Sequence, residues 1–200
     1  GAMSSVSSPP PSRLTIPYRF EPTATAAGLV ALHDSVLEAG AETDIEVVLA
    51  GRLMLRRGQG KLTFGQLQDA TGRIQLFGPA DVTPDFEDFT GLSLGDWIGV
   101  TGTVMKTKKG ELSVKVTDWV LLAKAARPFP DKWHGLADVD MRYRQRYVDL
   151  VVTPESNKTL RARSTIVSGI RRYMDNLGFI EVETPVLQPI YGGAAARPFT

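Results

Sequence analysis

Four side chains in the first part of the chain combine chemistries that one flat, charged partner would need. Phe64 offers an aromatic face between the polar neighbours Thr63 and Gln66. Arg57, one hairpin earlier, offers a planar cation. Gln75, on the following strand, both donates and accepts hydrogen bonds, so it can read the edge of a heterocycle. Glu111, an acid inside a lysine cluster, can accept from an amine or imino hydrogen. A ring face, a cation and edge-reading polar groups are what an unpaired nucleotide requires. A plain structural reading competes: Phe64 as core, Arg57 as a solvated hairpin charge, Glu111 as half of a turn ion pair. Spacing alone leaves both open. Near the other end, Gly192 and Gly193 with Ala194 carry no reactive side chain. They make either a plain turn or a loop whose backbone approaches a small ligand.

Several chemistries are excluded at once. Cysteine is absent and only His33 and His134 are present, which rules out disulfides and thiolate sites and argues against zinc. No apolar run approaches the roughly 18 residues of a membrane span. The net charge of +1 gives no global attraction for polyanions, so any such affinity must be local. Charge is in fact sorted by segment. Arg52, Arg56, Arg57, Lys61 and Arg73 face a single acid, Asp69, and Lys106, Lys108, Lys109 and Lys115 surround Glu111. Between Asp81 and Asp96 the charged residues are all acidic.

The elements that must position these residues are legible in the hydropathy period. Residues 1–16, rich in Ser and Pro after a Gly-Ala-Met opening that resembles a tag scar, read as a disordered linker. Residues 24–38 read as a short helix capped by Thr23 or Thr25 and stopped at Gly40. From residue 45 the period switches to alternation, predicting strands over 45–55, 62–68, 73–77, 97–104 and 112–122, with a helical turn within 87–94. Turns fall at residues 58–60, 70–72 and 108–110. Five strands with a long excursion after the third fit a five-stranded Greek-key barrel of the OB type, a β-sandwich edge domain being the competing architecture.

The domain organisation expected is thus 17–124 for the helix and barrel, 125–138 for a Pro-containing linker, and 139–200 for a second unit, β-rich giving way to α/β. That unit is expected to hold a helix over 139–150, then a longer one with Thr153 as cap, Pro154 at its first position and Glu155 in its first turn. Its apolar stripe is Leu160, Ile166, Val167, Ile170, Tyr173, Met174 and Leu177, and Gly178 ends it. Residues 179–184 read as a strand, and the chain's last segment looks cut.

Gly60-Lys-Leu-Thr-Phe-Gly-Gln-Leu-Gln-Asp-Ala-Thr-Gly-Arg-Ile-Gln-Leu76 and Thr107-Lys-Lys-Gly-Glu-Leu-Ser113 resemble the anticodon-binding OB domain of class IIb aminoacyl-tRNA synthetases. Arg142-Tyr-Arg-Gln-Arg-Tyr-Val-Asp-Leu150 is similar to the entry of the catalytic domain of bacterial lysyl-tRNA synthetases, and Gly178-Phe-Ile-Glu-Val-Glu-Thr-Pro-Val-Leu187 to class II motif 1. Gly192-Gly-Ala-Ala-Ala-Arg-Pro-Phe199 is the piece specific to the lysine branch. The resemblance covers about residues 17–200, an OB barrel followed by the start of a class II antiparallel-sheet catalytic domain.

That resemblance implies roles. Phe64 stacks on the central uridine of a lysine anticodon, Gln75 bonds its edge, and Arg57 and Glu111 contact the anticodon nucleotides. Gly192, Gly193 and Ala194 lie in the loop over the amino acid, and Pro185 in a motif 1 dimer interface. The implied reaction activates lysine with ATP and magnesium in a cytoplasmic homodimer, then transfers it to tRNA(Lys). The ATP-gripping motifs 2 and 3 of the family are not found here, so neither ATP nor magnesium is expected to bind this stretch and no catalytic residue is assigned to it. The Ser/Pro stretch, where the family carries a basic helix, also suits a synthetase module fused to a membrane phosphatidylglycerol lysyltransferase. A non-catalytic nucleic-acid-binding barrel is the third reading.

Overall fold

The computed structural model describes residues 12–127, 136 and 138–187. The chain divides into two compact units after residue 129.

In the first unit, helix α1 (Ala26–His33) precedes strands β1 (Glu42–Gln59), β2 (Leu62–Gln68) and β3 (Arg73–Pro79). Helix α2 (Phe86–Gly91) then leads to β4 (Trp97–Lys106) and β5 (Leu112–Ala123). The strands close in the order β1-β2-β3-β5-β4, with β3 and β5 parallel and the other pairs antiparallel. This is the five-stranded barrel expected. Alternation dictates its interior: Thr63, Gly65 and Leu67 of β2 and Ile74, Leu76 and Gly78 of β3 point inward, and their neighbours point out. Leu49, Leu53, Leu76, Ile98, Val100, Val104, Val114 and Val116 fill the core. Phe89 and Leu92, in and just after α2, are buried in the same core, Phe89 lying 5.5 Å from Trp119. β1 is longer than its alternating run because it pairs with β2 along one half and β4 along the other, changing partners near a bulge at Leu53 and Leu55. At Gly102 the β4 and β5 backbones approach so closely that a Cβ would meet the Lys115 carbonyl at 2.1 Å.

Helix α1 is shorter than the periodicity suggests. Thr25 caps it, accepting from the Gly28 amide, while Thr23 accepts from Val48. Its other first-turn amides are met from the β2–β3 turn: Ala26 donates to Asp69 Oδ2 (2.7 Å) and Ala27 to Thr71 Oγ1. Burial acts to raise the Asp69 carboxyl, but bonds from Ala26, Thr71 and Gly72 outweigh it and hold it below the ordinary range. The helix stops at His33, where Lys106 takes the Asp34 carbonyl and carboxylate; Gly40, at φ 88°, then turns the chain into β1. The barrel unit also begins before residue 17. Arg13 pairs with Asp85 (2.5 Å) and Asp118 (2.9 Å), and its carbonyl accepts from Leu121.

In the second unit, α3 (Val139–Arg144), α4 (Arg146–Val152) and α5 (Pro154–Asn176) follow one another. The single helix expected over 139–150 is broken at Gln145, whose φ of −111° and ψ of 52° are not helical. The break brings Arg142 (2.9 Å) and Arg146 (2.5 Å) onto the fully buried Asp149. Burial pushes this carboxyl up, but bonds from Ser156, Arg142 and Thr153 and the Arg142 charge hold it at about 2. Thr153 stands at the N-cap of α5 without a side-chain capping bond, and its amide donates to the Asp149 carbonyl at 2.8 Å. Gly178, at φ 83°, ends α5 as expected. Residues 179–184 do not form the expected strand: they run irregular and exposed, with no pairing among the described residues. A strand exists only through a partner's ladder, and β-propensity cannot supply one.

Candidate nucleic-acid interface

The outward side of β1, β2, β3 and β5 aligns residues across the strands. Arg57 is opposite Phe64, Phe64 opposite Phe77, and Phe77 opposite Lys115. One step along, Gln66 is opposite Gln75, and Gln75 opposite Ser113. With the β4–β5 hairpin these rows enclose an open groove of about 770 Å³ lined by Arg57, Phe64, Gln75, Phe77, Lys108, Lys109 and Glu111. All four barrel residues singled out from the sequence line it.

Of the two readings of Phe64, the core one fails. The ring is half-buried on the outer face and meets Phe77 edge-on, centroids 5.5 Å apart and planes at 61°. Phe77 supports it from the next strand, and both rings line the groove. Arg57 is exposed, and among the described residues no carboxylate pairs with it. Among the described residues no cation pairs with the Glu111 carboxylate, against the turn ion-pair reading, and it stands exposed on the rim. The rim keeps its shape through a tight hairpin: Gly110 at φ 83° donates to the Thr107 carbonyl, and Thr107 donates to that of Glu111.

The basic sector is thinner than the sequence suggests. Lys106 is held by Asp34, and Lys115 by Glu42 at 2.9 Å. Arg52 lies over the Trp97 ring at 5.1 Å, Arg56 donates to the Leu92 carbonyl, and Arg73 to Gln68. The cations left for a ligand at the groove are Arg57, Lys108 and Lys109, among the described residues. Sequence reasoning missed Phe77 and Ser113. The alternation of β3 put Phe77 on the same face as Gln75, which was signal enough; nothing in the sequence revealed that β5 would run parallel to β3 and bring Ser113 alongside. Gly192, Gly193 and Ala194 lie outside the described residues. Pro185 is exposed in the irregular 179–187 stretch.

Comparison with known proteins agrees with this geometry. Residues 47–122 match the model of the OB-fold nucleic acid binding domain, and residues 138–200 that of the class II tRNA synthetases (D, K and N). A lysine–tRNA ligase of Synechococcus sp. (strain RCC307) is 53% identical over 188 residues, 92% of this chain. Over these residues the chain is similar to lysine–tRNA ligases. Those of Parasynechococcus marenigrum (strain WH8102) and Halalkalibacterium halodurans are 54% and 50% identical over 92% and 90% of the chain. The chain spans 37–38% of the length of these ligases. Within that span the OB-fold match is followed along the chain by the class II match. No helix among the described residues is long and apolar enough to cross a membrane.

Proposed function

We propose that the groove binds unpaired anticodon nucleotides of a tRNA, in a protein whose full-length activity is the attachment of lysine to tRNA(Lys). The observation that carries this is the outward Phe64 ring beside the unpaired Arg57 in a single groove. The ring stacks a base, Arg57 and Lys108 or Lys109 meet flanking phosphates, and Gln75 and Glu111 meet base edges. Nothing in this set demands a duplex, since a stacking ring needs a base already out of its helix.

The remaining parts extend the reading. Residues 17–124 act as the anticodon module, 125–138 as its linker and 139–200 as the start of the catalytic domain, with Gly192, Gly193 and Ala194 over the lysine. The exposed stripe of α5 and Pro185 serve a homodimer in the cytoplasm. ATP and magnesium belong to the full-length reaction. Among the described residues no three His, Asp or Glu side chains gather to hold a metal ion, so no step is routed through either.

Titrating the chain with a labelled RNA stem-loop carrying a UUU anticodon, and with the same stem closed by base pairs throughout, tests the reading. Tighter binding of the looped RNA is expected. Equal affinity for loop and duplex would reduce the groove to a nonspecific polyanion site.

A further inference from the structure

We infer that Ser113 is a specificity-positioning residue, which sets the direction of the Gln75 amide so that the groove selects a base presenting a ring N–H donor. This rests on the nucleotide-binding reading and deepens it.

The inference follows from hydrogen-bond polarity. The Ser113 hydroxyl has one hydrogen, and it donates that hydrogen to the Glu111 carbonyl at 3.1 Å. A carbonyl only accepts, so the direction of this bond cannot reverse. What Ser113 then offers Gln75 is a lone pair, and Gln75 Nε2 donates into it at 2.9 Å. The amide is thereby oriented with Oε1 away from Ser113. Among the described residues no donor reaches that oxygen, and Gln75 lines both the groove and the adjoining pocket of about 400 Å³. Ser113 is fully buried and held in register with Gln75 by the parallel β3–β5 pairing, so the chain of bonds is built into the barrel wall.

An outward carbonyl oxygen recognises uracil N3–H or guanine N1–H. It faces a lone pair at cytosine N3 or adenine N1, leaving two acceptors opposed and unpaired. The same glutamine with its amide reversed would prefer the other pair of bases. Selectivity therefore lies in the hydroxyl behind the glutamine as much as in the glutamine.

The test uses fluorescein-labelled RNA stem-loops differing only at the central loop position, uridine or cytidine. The wild-type chain is expected to prefer uridine by about fivefold to a hundredfold, as for one lost and one unsatisfied bond. In Ser113→Ala the amide is free to turn, and the ratio should collapse toward one; Ser113→Thr, which keeps the hydroxyl, should restore it. A merely structural serine would weaken both RNAs alike and leave the ratio intact, and that result overturns the inference. Should Ser113→Ala fail to fold by circular dichroism, wild-type binding of uridine against N3-methyluridine decides instead, and equal affinity overturns it. Loss of all loop binding in the wild type would sink the nucleotide reading itself, whereas binding with an unmoved ratio sinks only the role of Ser113.

Discussion

Replacing Phe64 by leucine separates stacking from folding. The side chain lies on the outer face of β2, between inward-facing Thr63 and Gly65, so the core is untouched by the change. Leucine keeps apolar bulk against Phe77 but loses the edge-to-face contact at 5.5 Å, about 0.5–1.5 kcal/mol of stability. At roughly 4–8 °C per kcal/mol for a domain of this size, the melting temperature should fall by several degrees, with the barrel still folded at room temperature. Binding should suffer more. A stacked base contributes about 1–3 kcal/mol, which is a rise in Kd of about 5- to 150-fold at ~1.4 kcal/mol per decade. Fluorescence anisotropy with the UUU stem-loop at fixed low salt measures this, with circular dichroism confirming the fold and Phe64→Tyr as the stacking-competent control. An unchanged Kd for Phe64→Leu in a folded protein would refute base stacking on this ring.

Three other outcomes are expected. Arg57→Gln should lower the salt dependence of stem-loop affinity, the log–log slope shrinking by about 0.7 for one single-strand phosphate contact; a slope equal to the wild type's places Arg57 off the backbone path. Asp149, held at about 2 against an ordinary 3.8, contributes stability that is complete above pH 3.8 and lost as pH falls through about 2. Thermal melts of the helical unit should therefore decline across that window in the wild type and run flatter in Asp149→Asn, which should be less stable at neutral pH; parallel profiles would contradict the buried pairing with Arg142 and Arg146. The α5 stripe leaves Ile166, Ile170, Tyr173 and Leu177 at 57–64% exposure, so self-association is expected by sedimentation velocity, weakened by Ile170→Lys. A monomeric wild type at high concentration would remove the stripe's proposed use.

The sequence alone determined the local structure, because period and punctuation act over a few residues. Five alternating runs bounded by Gly-containing turns specify five strands, and Thr153-Pro154 with Gly178 specify where α5 starts and stops. Alternation left the face of Phe64 open, because Leu62 and Phe64 share one side of the run and Leu67 takes the other; closure of the barrel put Thr63, Gly65 and Leu67 inside and the ring out. The four groove residues were legible by type alone, as an aromatic face, a cation, an amide and an acid. What only the tertiary structure decided is who meets whom across distant segments. The closing β3–β5 pair brings Ser113 to Gln75, Asp34 and Glu42 neutralise Lys106 and Lys115, and Asp149 gathers two arginines by breaking a helix that periodicity drew straight. Residues 179–184 make the same point in reverse, having the composition of a strand but no ladder to join. Hydropathy says where helices and strands run; the face of a ring, charge pairing and strand pairing depend on partners far along the chain, and only folding chooses them.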